Sequence, residues 1–156
     1  MNTVFETNFT VMPTDANYLS PLIFGGAFFS QMDLCAAQTA NRALHDSTTR
    51  PKPNQLSCKA AITHIAEVKW DKPCYVGDLI FLRGEVVEFG TKSIVVELSA
   101  WREKRGSPDR DKVASGKFVF ISIDNYDNLD QHPDLLPYVP HGLKMPEMKP
   151  PTAEKD

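Results

Sequence analysis

The chain has 156 residues, 42% of them hydrophobic, and 17 Lys and Arg against 20 Asp and Glu leave a net charge of −3. That length gives one domain able to bury a core without staples, and the acidic balance argues against nucleic acid as a main partner. No apolar run reaches the roughly 18 uncharged residues of a membrane span.

The sequence does not open on a basic and then apolar leader, so no secretory signal is expected. Cys35, Cys58 and Cys74 are odd in number and unpatterned, which suits free thiols in a reducing compartment and makes the cytoplasm the expected address.

Residues 3–11 are rich in β-formers and predict a short first strand. Residues 12–21, with two prolines, Asp15, Asn17 and Ser20, predict a turn-rich loop. A helix is predicted over residues 26–44, and its apolar residues occupy nearly all faces, as in a helix enclosed by other structure. Residues 48–54 form a polar linker. Four strands are then predicted, at 59–70, 79–89, 93–103 and 113–124, and their short links imply antiparallel neighbours. In the first of the four, alternation places Ile62, His64, Ala66, Val68 and Trp70 on one face. From residue 125 the chain turns proline-rich, so the domain is expected over 1–130, with a tail over 131–156.

The most informative stretch is Phe24-Gly25-Gly26 followed by Ala27-Phe28-Phe29-Ser30-Gln31-Met32-Asp33. A helix opening at two glycines presents bare backbone N–H groups and the positive end of its dipole to an anion. A carboxylate inside an apolar helix needs a partner, a water or a task. Together they read as an oxyanion site plus a base, the equipment of acyl transfer. Gly26 and Asp33 lie seven positions apart, about two turns and roughly 10 Å along the axis. One thioester carbonyl cannot touch both groups of a single helix. An antiparallel pair of helices sets Gly26 of one subunit opposite Asp33 of the other, so the spacing predicts a dimer with two composite sites.

The order of elements, a strand, a long helix and four strands, resembles the α+β hotdog fold, a helix wrapped by a curved antiparallel sheet. Met12-Pro13-x-Asp15-x-Asn17, Ile23-Phe24-Gly25-Gly26, Ser30-Gln31-Met32-Asp33, Pro73-x-x-Val76-Gly77-Asp78 and Gly90-Thr91-x-Ser93 are similar to motifs of the hotdog acyl-CoA hydrolases. The resemblance covers about residues 9–124. It departs at Ser20-Pro21-Leu22, where the family usually carries a glycine and is one residue shorter, and at Leu34-Cys35 after Asp33.

The resemblance implies an acyl-CoA thioesterase, releasing free acid and coenzyme A at a site shared across a homodimer, and extends to a homohexamer made of three dimers. Coenzyme A belongs to the substrate, and no metal or redox cofactor is implied. Asp33 is the implied base or nucleophile, Asn17 positions water or carbonyl, and Gly26 supplies an oxyanion donor. Phe24, Gly25, Ser30, Lys92 and Ser93 are implied substrate contacts, and Lys92, Arg102, Lys104 and Arg105, near the hairpin and strand ends, are candidates for the coenzyme's phosphates beside the blander account of an ordinary charged rim.

Blander roles stand beside these. Asp33 also fits a strand cap or an ion pair, the glycine pair close packing, and Asn17 a turn. Ser30 fits a bond back into its own helix, and Cys35 fits simple packing. His64 reads as a core or interface histidine, while His45, His132 and His141 read as solvated. A non-catalytic acyl-CoA binding protein and an acyl-thioester hydratase are the alternative functions. The hydratase lacks the expected His near Gly25, and the binding protein has no use for Asp33.

Overall fold

The long helix expected after the glycine pair is α1 (Gly25–Leu44), and it lies against one face of a single sheet. The computed structural model describes residues 3–44, 60–90 and 93–123. The strands are β1 (Val4–Thr10), β2 (Ala60–Trp70), β3 (Leu79–Phe89), β4 (Ser93–Glu103) and β5 (Arg110–Ile123), all antiparallel, in spatial order β1-β3-β4-β5-β2. Irregularities at Thr63/Ile65, Val86/Glu88 and Ala100/Trp101 are where strands bend and twist most, as in a sheet that curves around a helix. This is the α+β arrangement that the resemblance implies. The proline-rich tail and residues 45–59 lie outside the described residues.

Alanine-rich sequence without internal proline favours the helix. Phe28, Met32, Cys35, Ala36, Thr39, Ala40 and Ala43 form its buried stripe, at the three- and four-residue spacing of one helical face. Leu34, Gln38 and Arg42 are exposed in this chain, so a single subunit covers one side of α1 and leaves the other open. Small residues in the stripe let the helix approach closely. It comes nearest at Gly84 of β3, where an added Cβ would overlap the Thr39 hydroxyl and stand 3.1 Å from Thr39 Cβ. Aromatic rings pack around the first turns of the helix: Phe28 meets Phe9 edge-on at 5.9 Å and Trp70 at 6.5 Å, while Phe29 stacks on Phe118 at 6.2 Å.

Three expectations are corrected. First, β2 and β3 are not neighbours, although only residues 71–78 separate them. β2 lies at one edge beside β5, and β3 pairs with β1 and β4. The link is a strap that crosses beneath the start of α1, where Ile23 N–H donates to Cys74 O (2.9 Å), Val76 N–H donates to Pro21 O (2.9 Å), and Leu22 bridges to Tyr75. Its turn closes at Gly77, whose φ of +94° suits glycine, and the buried Asp78 carboxylate accepts the Tyr75 N–H at 2.9 Å.

Second, the face of β2 changes at a bulge. Thr63 stands opposite Phe120 and Ile65 opposite Val119, with His64 as the extra residue. Ala61 and Thr63, not Ile62, therefore share a face with Ala66, Val68 and Trp70. His64 is exposed in this chain, which removes the core reading of that histidine. Third, β5 begins at Arg110, three residues before the expected start, because Glu103–Arg110 and Arg102–Asp111 continue the ladder and are joined as ion pairs at 2.7 and 3.1 Å.

Arg102 is 5% exposed. Its guanidinium grips Asp111 with Nε on Oδ1 and Nη2 on Oδ2, both at 3.1 Å, and donates through Nη1 to the Pro73 carbonyl of the strap. Lys72 Nζ adds a second cation 3.0 Å from Asp111 Oδ2. A buried cation is tolerable only with this degree of satisfaction. Hydrogen bonds from Arg102 and Lys72 hold the Asp111 carboxyl down at about 2 against an ordinary 3.8.

Gly84→Ala is expected to lower stability by about 1–3 kcal/mol through overpacking against Thr39, read as a lower denaturant midpoint. The Asp111 contribution is fully present above pH 3.8 and is lost as pH falls through about 2. Asp111→Asn should therefore lower stability at neutral pH and flatten the stability-against-pH curve over that acid interval. An unchanged acid limb would show that the clamp does not contribute.

Candidate active site

The start of α1 is fixed from two sides. Residues 12–24 fold back on themselves: Phe24 N–H donates to Asp15 O at 2.7 Å and Asn17 N–H to Leu22 O at 2.6 Å. The strap holds Ile23 from the other side. The bond from Phe28 N–H to Phe24 O (3.1 Å) opens the helical ladder, so the N–H groups of Gly25, Gly26 and Ala27 precede it and point outward at the positive end of the helix dipole. Both glycines are exposed.

Their reasons differ. An added Cβ on Gly26 would stand 2.7 Å from the Phe24 ring, whereas one on Gly25 meets nothing within 4 Å. A Cβ on Gly26 would therefore displace the exposed Phe24 ring, and one on Gly25 would displace nothing. Beside Gly25 lies a cavity of about 270 Å³ walled by Ile23, Phe28, Trp70 and Cys74, with Asp71 and Lys72 also lining it.

Asp33 is half-buried on the side of α1 that faces β2. Thr63 Oγ1 donates to its Oδ1 at 2.7 Å, and no cation pairs with Asp33 among the described residues. The ion-pair reading is thus unsupported. The carboxylate is oriented by one hydroxyl, with Oδ2 open to a further donor such as water. Thr63 is the site residue that sequence reasoning missed. Alternation placed it on the outer face of β2, and only the bulge at His64 turns it towards the helix.

The remaining candidates divide. Asn17 forms an Asx turn, with Oδ1 accepting Leu19 N–H at 3.1 Å, and its Nδ2 donor has no partner among the described residues. Ser30 Oγ donates back to Gly26 O at 2.9 Å, which supports the helix-bonded role. Phe24 is 54% exposed and lies over Gly26. Ser93 begins β4 and closes the β3–β4 hairpin by accepting Gly90 N–H at 2.8 Å. Seven residues of strand, roughly 23 Å, separate it from Ala100 at the helix-start end, so one subunit does not bring Ser93 to Gly25. Lys92 lies outside the described residues. Arg102 is corrected: it is buried and bound to Asp111 and Pro73, hence closed to phosphate. Lys104 and Arg105 are exposed, and the Arg105 stem reaches the Gly77 turn.

The buried thiols are poor nucleophiles. Burial pushes both Cys35 and Cys74 up to about 11, leaving them protonated at neutral pH. Cys35 is fully buried in the helix stripe, as the packing role requires. Among the described residues no three His, Cys, Asp or Glu side chains stand together as a metal site, and no helix is long and apolar enough to cross a membrane.

Comparison with known proteins adds family context. The model of the thioesterase superfamily matches residues 16–108. A Haemophilus influenzae protein named an uncharacterized acyl-CoA thioester hydrolase is 28% identical over 117 residues, 73% of this chain and 68% of the relative. An acyl-CoA hydrolase from Staphylococcus aureus, solved with coenzyme A, superposes with a TM-score of 0.67 at 22% identity over 80% of this chain and 66% of that one. That enzyme has been solved with a single asparagine, aspartate or threonine replaced by alanine. A hexameric broad-specificity acyl-coenzyme A thioesterase, also with an aspartate replaced by alanine, matches at TM-score 0.60 and 28% identity over 76% of this chain and 78% of its own.

Proposed function

This chain belongs to the thioesterase superfamily, and on that premise we propose that it hydrolyses acyl-CoA to the free carboxylic acid and coenzyme A. The observation that carries this reading is the Thr63–Asp33 hydrogen bond (2.7 Å) in a helix that also begins with outward N–H groups at Gly25 and Gly26. A carboxylate held by a neutral hydroxyl, with one oxygen still open, is poised to act on a water or on an electrophilic carbon.

The amides at Gly25 and Gly26 hold the thioester oxygen and stabilise the charge that grows on it. As general base, Asp33 takes a proton from water while the hydroxyl adds to the acyl carbon. The C–S bond then breaks and the proton leaves with the coenzyme A thiolate. As nucleophile, Asp33 attacks the acyl carbon and expels the coenzyme A thiolate as the C–S bond breaks, and water then opens the mixed anhydride to the free acid and the Asp33 carboxylate. Both routes use the same open oxygen. The thiolate is a good leaving group, with a thiol pKa of about 8.5 by analogy with cysteine, so no strong general acid is needed. The apolar cavity beside Gly25 receives part of the acyl arm, and Lys104 and Arg105 offer cations to the coenzyme's phosphates.

Two copies complete each site. β2 has β5 on one side and, among the described residues, no strand on the other. Edge-to-edge pairing of two such strands satisfies the open backbone groups and sets the helices antiparallel, with Gly26 of one opposite Asp33 of the other. The hexameric relative supports assembly beyond one subunit, and a trimer of such dimers is the proposed full assembly. The free thiols fit a cytoplasmic enzyme.

Asp33→Asn should reduce coenzyme A release from acyl-CoA by about 10²–10⁴-fold while leaving the assembly intact by light scattering; turnover at the parent rate would eliminate Asp33 as the reacting group. Thr63→Val should slow turnover by about tenfold, the equivalent of one lost hydrogen bond to a charged group, and an unaffected rate would make Thr63 a packing residue. Mixing Asp33→Asn chains with Gly26→Pro chains should recover part of the activity, since one site in each heterodimer has both halves intact. Proven heterodimers without recovery would contradict a shared site.

A further inference from the structure

We propose that Arg102 is a positioning residue for the active site: through the Pro73 carbonyl it holds the strap of residues 71–78 against the sheet, and the strap in turn fixes the start of α1. The inference rests on the acyl-CoA hydrolase reading.

The connections form an unbroken path. Arg102 leaves β4 with its guanidinium buried, grips Asp111 of β5 through two nitrogens, and donates its remaining terminal nitrogen to Pro73 O. Lys72, next in the strap, is tied to the same carboxylate at 3.0 Å. One residue beyond Pro73, the Cys74 carbonyl accepts Ile23 N–H, and two residues further Val76 N–H binds Pro21 O. Ile23 is two residues from Gly25, and Lys72, Pro73 and Cys74 line the cavity beside it.

Backbone bonds secure the two ends of the strap: Asp71 and Lys72 N–H donate to Val113 O (2.8 and 3.2 Å), Gly77 N–H donates to Val11 O and Val11 N–H to Asp78 O (both 2.9 Å). Between them, Arg102 supplies the side-chain anchor at the Pro73 carbonyl. The planar fork of arginine grips a carboxylate through two nitrogens and reaches a carbonyl with a third; lysine, with all its donors on one atom, cannot reproduce that bidentate grip. Displacing reactive groups by about 1 Å can lower rates by as much as ~10²-fold, so a device that sets the glycine amides acts on turnover without touching substrate.

Two buried cysteines report on the strap independently of activity. Cys74 sits in it at 1% exposure, and Cys35 sits in the helix core at 0%. Both thiols are raised to about 11 by burial, so their alkylation at neutral pH is governed by access. In Arg102→Lys, iodoacetamide labelling located by peptide mass spectrometry should accelerate at Cys74 by about tenfold or more through local opening, with Cys35 unchanged. On acyl-CoA, kcat should fall about tenfold with KM nearly constant.

Acceleration at both cysteines would mean general loosening and would overturn the proposal, as would an opened strap with parental kcat. If Arg102→Lys does not fold, Asp111→Asn carries the same two readouts, since it leaves Arg102 in place with a weaker anchor. A parent protein without turnover on acyl-CoAs of any length would sink the hydrolase reading alone, because the contrast between Cys74 and Cys35 is read without substrate.

Discussion

A helix that offers its first amides to a ligand cannot also use them to hold itself in place. That constraint organises this molecule. Among the described residues no side chain caps the glycines at the start of α1, which is secured by backbone bonds made just before it, Phe24 N–H to Asp15 O and Ile23 N–H to Cys74 O. The residues 12–24 and the strap 71–78 exist as ordered segments because these bonds need rigid partners. The strap is held by a buried arginine on its Pro73 carbonyl and by backbone bonds to Val113 and Val11, and the loop by Asp15 and Asn17, which bond into their own turns. Anion binding at a helix start requires the amides to stay uncovered, so the supporting contacts are displaced by one or two residues to either side.

The second half of the site obeys a related rule. Asp33 stands on the buried-to-exposed boundary of α1, where a cation would neutralise it and an apolar wall would isolate it. A threonine hydroxyl does neither. It orients one oxygen through a single directional bond and leaves the charge for chemistry. The hydroxyl arrives there through a bulge in an edge strand, a device that re-aims side chains beside active sites. The edge of β2 that no described strand covers lies next to Asp33 because Thr63 belongs to that strand. The place where a second subunit can pair is thus also where the carboxylate waits for its missing amides.

The sequence was most readable where period and composition agree. Alternation located β3 and β4 to the residue, and alanine-rich sequence after Gly25 located α1 to within one residue at its start. Topology was less readable, since short links imply neighbouring strands. The strap crosses from one sheet edge towards the other because its residues bond to the helix start, a tertiary interaction that spacing does not reveal. At the site, Asp33 and the glycine pair stood out as exceptions within an apolar helix. Thr63 did not, because one inserted residue reversed the parity of its strand. Arg102 looked like one cation among several; its burial depends on Asp111, nine residues on at the start of β5, and on Pro73 far upstream.

The contrast between the two glycines bears on chemistry more than either does alone. Gly26 lies under the Phe24 ring, and a Cβ there would displace that exposed ring. Gly25 has open space where a side chain would stand, and neither packing nor a positive φ demands glycine. What a side chain at residue 25 would change is the approach to the outward amides and to the apolar cavity that residue 25 lines. A bare backbone at that point lets a bulky thioester come within hydrogen-bond distance of the helix start. The fold tolerates the extra backbone entropy of a second glycine at the first turn, where Phe24 and the strap already restrict the chain.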